Sequence, residues 1–159
     1  TRLNCYNSVV VGWPIGLILD SEKGNTQKAA TDGLLQLHRI VFAGTDLTGS
    51  DFNKVYKDEL YDYKTKTTDP SKKSFSSMFF LLPANGNKVV DQWVARSWQG
   101  IQSIIAASTS VGGALQGSFA ELQSNNWFDK SATFVGAFRD ASDDWTAGWA
   151  NFDPENTIY

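Results

Sequence analysis

The sequence predicts a mainly β protein with helical insertions, and three observations carry that prediction. Short apolar runs at residues 8–12, 15–19 and 34–43 are separated by turn-forming residues and have the length of strands. Helical spacing emerges only after residue 50 and again after residue 87. From residue 108 onward the chain is rich in Gly, Ser, Asn and aromatic residues, which read as loops with short strands.

Taken in order, Val9, Val10 and Val11 form the first strand, Gly12 to Pro14 a corner, and Ile15 to Leu19 the second strand. Residues 20–26 are a polar loop carrying Gly24 and Asn25. In the third run Leu35, Leu37 and Val41 share one parity, interrupted by Arg39, while Leu34, Ile40 and Phe42 share the other with Gln36 and His38. Both faces are partly apolar, which suits a strand covered on both sides better than a hairpin with one wet face. A helix is expected next: Ser50 can cap it, Asp51 suits its first turn, and Phe52, Val55, Tyr56, Leu60 and Tyr63 recur at helical spacing. Residues 64–77 read as an exposed loop and residues 78–82 as a short buried run ended by Pro83. A second helix is expected after Asn87, with Val90, Trp93, Val94, Ser97, Ile101, Ile104 and Ile105 on one face. Gly100 within it costs about 1 kcal/mol relative to alanine. A strand is expected over residues 133–138.

Composition narrows the function classes. A chain of 159 residues with 42% hydrophobic and 19% charged residues can bury a core and is not a disordered sequence. Its net charge of -3 offers no basic field to a phosphate backbone, so nucleic acid is not an expected partner. No run approaches the ~20 apolar residues of a membrane-spanning helix. The single Cys5 excludes an internal disulfide, and with the single His38 it excludes a Cys/His zinc cluster within the chain. The start at Thr1-Arg2-Leu3, with no Met and no leader, reads as a mature form or a C-terminal fragment.

The tail offers the candidate sites. Trp127, Trp145 and Trp149 lie among Phe119, Phe128, Phe134, Phe138, Phe152 and Tyr159. They read either as a small aromatic core holding irregular backbone or as a stacking platform for sugar rings, whose apolar faces match flat aromatic faces. Asp140, Asp143 and Asp144 read either as a solvated acidic turn or as a group holding Ca2+ or supplying paired carboxylates. No other cofactor is expected. His38 reads as a hydrogen-bonded structural histidine, Cys5 as a small buried hydrophobe, and Asp153 to Asn156 as a turn. Lys64, Lys66, Lys72 and Lys73 read as a solvated loop, with acidic glycan as the alternative. There is no G-x-S-x-G, P-loop or G-x-G-x-x-G.

Gly136-Ala137-Phe138 and the run Asp144-Trp145-Thr146-Ala147-Gly148-Trp149-Ala150-Asn151-Phe152-Asp153-Pro154-Glu155-Asn156-Thr157-Ile158-Tyr159 resemble the C-terminal signature of a family of secreted or surface-lipoprotein right-handed parallel β-helix proteins of Gram-negative bacteria with type IX secretion. Residues 11–20, 33–37 and 40–44 are similar to the last coils of those solenoids, while residues 46–130 match loosely. The resemblance implies terminal β-helix coils over residues 1–46 and a C-terminal cap over 47–159, with two helices and the aromatic tail. It implies a non-catalytic scaffold or binding protein, extracellular or on the outer-membrane surface. A polysaccharide-degrading β-helix enzyme and a structural subunit of an outer-membrane assembly remain alternatives. No catalytic residue is carried over. Two coils cannot cover their own stacking face, so preceding coils, from the same protein or a partner chain, are expected to pair with them, with glycan as a further expected partner.

Overall fold

Residues 2–91, 101–151 and 154–157 are described in the structure, a computed structural model. The chain runs β1 (Leu3–Tyr6), β2 (Val9–Val11), β3 (Ile15–Ile18), α1 (Thr26–Thr31), β4 (Leu35–His38), β5 (Val41–Ala43), β6 (Leu47–Ser50), β7 (Leu60–Asp62), β8 (Thr67–Asp69), α2 (Phe75–Phe80), β9 (Lys88–Val90) and α3 (Ile101–Gly112). The protein is thus mainly small β-sheets with few helices. No helix among the described residues is long and apolar enough to cross a membrane.

The pairing is regular. β1 pairs with β4, β2 with β5 and β3 with β6, all in parallel, setting Leu3 opposite Leu35, Val9 opposite Val41 and Ile15 opposite Leu47. Each offset is the same 32 residues. The middle ladder gains a third member, β9, with Val41 opposite Lys88.

The corners repeat with the strands. Asn7 and Arg39 both turn through left-handed backbone, at φ 49° and 55°, and Gly86 does so at 62° before β9. The ladder continues through them: the Asn7 amide donates to the His38 carbonyl at 3.0 Å, and the Arg39 amide to that of Asn85 at 2.9 Å. Gly12 and Gly44 make the next corner at φ 72° and 61°, a region most side chains avoid. Residues 34–43, read from sequence as one strand, are therefore two strands bent at Arg39. The residue that broke the alternation is the corner.

The middle ladder is covered on both faces, as its sequence implied. Phe42 packs with Leu35, Leu37, Phe79 and Phe80 on one side, its ring stacked 3.9 Å from that of Phe80. Val41 and Ala43 pack with Val111 of α3 and Val135 of the tail on the other. The first-laid strands β1, β2 and β3 pair along one edge only among the described residues. Leu3 is 54% exposed there, against 3% for Leu35, its partner in β4.

Several sequence expectations fail for physical reasons. No helix starts at Ser50, because residues 47–50 extend the parallel pairing past residue 46. Asp51 caps another helix instead. Buried to 1%, its carboxylate accepts from the Phe75 and Ser76 amides, each at 2.9 Å, at the start of α2. The helical spacing of Phe52, Leu60 and Tyr63 is a coincidence: Phe52 stacks on Tyr61 at 4.8 Å, and Leu60 and Tyr61 lie in an antiparallel hairpin of β7 and β8. The 64–77 segment holds β8 and the start of α2, whose Ser74 hydroxyl caps it by accepting from the Ser77 amide. In the run 78–82 only Phe79 and Phe80 are buried, because a helix turns one face inward. Lys88 to Val90 is strand rather than helix. Trp93, Val94, Ser97 and Gly100 lie outside the described residues, and the second helix is α3. Residues 133–138 pair with no strand among the described residues.

Candidate functional site

The tail is irregular but fastened at named points. The Gly136 amide donates to the Asn7 carbonyl at 2.8 Å, laying residues 134–138 beside the first corner. α3 fits flush against this segment because Gly112 and Gly117 lack side chains; a Cβ at either would stand 2.0 or 2.2 Å from the carbonyl oxygen of Val135 or Phe134. Between the end of α3 and residues 133–139 runs an open groove of about 420 Å³, lined among others by Thr109, Gln116, Thr133, Phe138 and Arg139.

Beyond Phe138, Trp145 and Trp149 turn outward. The Trp145 ring lies 6.0 Å from that of Phe138 and 5.5 Å from that of Trp149, with a 34° tilt between the tryptophans. These two are 52% and 69% exposed, so they are not a core. Their indole N–H groups are nonetheless satisfied internally: Trp145 Nε1 donates to the Ala137 carbonyl at 2.8 Å, and Trp149 Nε1 to that of Trp145 at 3.0 Å. Anchoring one edge of each ring restricts its orientation while much of its surface stays exposed. The turn beneath is closed by Asp144, whose Oδ1 accepts from the amide and hydroxyl of Thr146, a buried residue.

Trp127 stands elsewhere. It is 86% exposed, and its ring contacts run through Phe128 and Phe119 to Tyr6, which stacks on His38 at 5.5 Å. No ring contact among the described residues joins this row to Trp145 and Trp149. The expected three-tryptophan set is thus a pair and a separate residue.

The acidic group is likewise dispersed over local tasks. Asp140 Oδ1 accepts from the amide and hydroxyl of Ser142 and Oδ2 from Arg139 Nε, which hold its carboxyl down to about 2. Asp143 accepts from the Arg139 amide at 2.8 Å. Asp140, Asp143 and Asp144 form no metal-holding group, and no three His, Cys, Asp or Glu side chains among the described residues do so. Asp140 and Asp144 each close their own turn, a use that Asp followed two residues later by Ser or Thr favours.

Glu121 is the residue the sequence did not offer. It receives both Nη groups of Arg39, at 2.8 and 2.6 Å, and sits 3.6 Å from His38 Nδ1. The Arg39 bonds hold its carboxyl down to about 2. His38 is held by stacking rather than by the expected hydrogen bond: its buried Nδ1 has no partner, and burial pushes its pKa below the usual value. Separated by 82 residues, Arg39 and Glu121 carry no shared sequence signal. Cys5 is partly buried, with its Sγ 3.2 Å from the Ser8 hydroxyl. Lys72 and Lys73 pair with Asp69 and Asp58 at 3.1 and 3.0 Å. Pro154 to Asn156 form a single 3-10 turn, and Asp153 lies outside the described residues.

No protein-family model, curated protein or solved structure matches this chain.

Proposed function

We propose that the chain is a non-catalytic glycan-binding scaffold, and more particularly the terminal part of a right-handed parallel β-helix protein of the secreted or outer-membrane-surface kind its C-terminal run resembles. The β-helix reading rests on the constant 32-residue offset of three parallel ladders and on corners that recur at the same offset. In this reading residues 2–50 and β9 form the coils, and the hairpin, α2, α3 and tail form the cap. The unpaired edges of β1, β2 and β3 then receive a preceding coil that covers Leu3 as β4 covers its neighbours.

The glycan reading rests on one observation: Trp145 and Trp149 are largely exposed while both indole N–H groups are tied to backbone. Such rings lose little conformational entropy on stacking against a sugar face. Ca2+ has no part in this reading, and the polysaccharide-degrading alternative gains nothing from Asp140, Asp143 and Asp144. The test is a tryptophan-fluorescence titration with a panel of polysaccharides, using the native chain and Trp149→Ala. Saturable quenching that the variant loses is the expected result; no response to any member of the panel rejects the reading.

A further inference from the structure

The groove beside α3 and the tryptophan pair share a wall. Phe138 lines the groove and its ring lies 6.0 Å from that of Trp145, so the two features meet through one buried side chain. Taking the glycan reading as its premise, we infer that groove and tryptophans are two ends of one site, and that its ligand is a single stretch of neutral, linear polysaccharide.

Four features select that ligand. The 5.5 Å separation of the two indoles is of the order of one sugar unit along a chain. The rings are tilted by 34° rather than coplanar, which follows a twisting single chain and mismatches the flat face of a crystalline glycan. The groove supplies edge contacts where the tryptophans supply faces. The side chains of Gln116 and Thr133 and the two Nη groups of Arg139 have no hydrogen-bond partner among the described residues, and they line a volume within the ~300–1,000 Å³ of small-ligand sites. The local charge disfavours an anionic chain: Arg139 stands against Asp140 at 3.1 Å, with Asp143 and Asp144 close by in the chain.

The experiment is calorimetric titration of the native chain with cello-, malto-, laminari- and chito-oligosaccharides from disaccharide to hexasaccharide. Oligogalacturonates serve as the anionic arm, and pull-down on crystalline cellulose and chitin as the flat-surface arm. Binding of one neutral series should tighten at least tenfold from disaccharide to hexasaccharide. A Gln116→Ala/Thr133→Ala double variant, both positions being exposed, should melt like the native chain and lose most of that gain, whereas Trp149→Ala should weaken every length. Affinity that does not change with length, a double variant that keeps the gain, preference for the oligogalacturonates, or retention on a crystalline surface overturns the inference and leaves the tryptophan platform standing. Absence of binding by the native chain in every arm overturns the platform reading along with it.

Discussion

Arg39 and Asn7 both have left-handed backbone, and Arg39 Nε donates to the Asn7 side-chain oxygen at 3.0 Å. That oxygen also accepts from the Ser118 amide at 3.0 Å. The same guanidinium grips Glu121, so one residue joins the Asn7 corner to the tail.

Arg39→Ala should therefore destabilise the protein by about 2 kcal/mol, because it strands a partly buried carboxylate as well as removing bonds. Urea denaturation measures this. In a double-mutant cycle with Glu121→Gln, the two losses should be strongly non-additive; simple additivity would show that the pair is not coupled.

Acid should loosen the same corner. Glu121 is depressed in the fold to about 2 from an ordinary 4.5, so its stabilisation is complete above about 4.5 and is lost as pH falls towards about 2. His38 acts in the same direction. Its folded pKa is below 6.5, so the unfolded chain takes up a proton first and stability declines as pH falls below 6.5. Melting curves between pH 8 and pH 3 should show both declines, and His38→Phe should remove the upper one.

Phe80 has no exposed surface and stacks on Phe42. Phe80→Ala should cost about 3–5 kcal/mol by equilibrium unfolding. A loss below 1 kcal/mol would mean that α2 is not packed on the ladders.

Asp51→Ala removes the acceptor of the partly buried Phe75 amide, the buried Ser76 amide and the Ser76 hydroxyl, which also receives the Leu19 amide. A loss of about 3 kcal/mol is expected. Hydrogen exchange should show the first amides of α2 losing protection before those of β4.

Two glycines separate corner from loop. Gly44→Ala, at φ 61°, should cost about 1–2 kcal/mol. Gly24→Ala, in a loop with nothing within 4 Å of the added carbon, should stay within about 0.5 kcal/mol of the native chain. Equal effects would reject the repeated-corner geometry.

Much of the ladder was legible in the sequence, because strand length and turn residues are local signals. Val9 to Val11, Ile15 to Ile18 and the two-sided burial around Phe42 all follow from them. The interruption at Arg39 was also visible, but its meaning as a corner depends on Asn7 lying 32 residues earlier. Between residues 50 and 90 the signals misled. Asp51 is a capping residue, yet it serves α2 across space beside the Ser74 hydroxyl, and no sequence pattern reports which helix a carboxylate will cap. The tryptophan pair was legible as aromatic residues four apart in a polar stretch. Its separation from Trp127, and the clamp of Glu121 on Arg39, depend on where the tail is laid over the corner, which only the folded chain determines.

The offset between ladder partners is 32 residues from Val9 to Val41 but 47 from Val41 to Lys88. The register of β9 is nevertheless intact, since the excess length is taken up in the hairpin and α2 between β6 and β9. Length in this architecture is thus free between corners and fixed at them. Whole segments can be added or removed in the connections at the modest cost of a longer loop, whereas one residue gained between a corner and its strand would turn every side chain of that strand to the opposite face. Variation among descendants of such a chain is therefore expected to come in blocks, outside the strands, with the spacing of Asn7 to Val9, Arg39 to Val41 and Gly86 to Lys88 held constant.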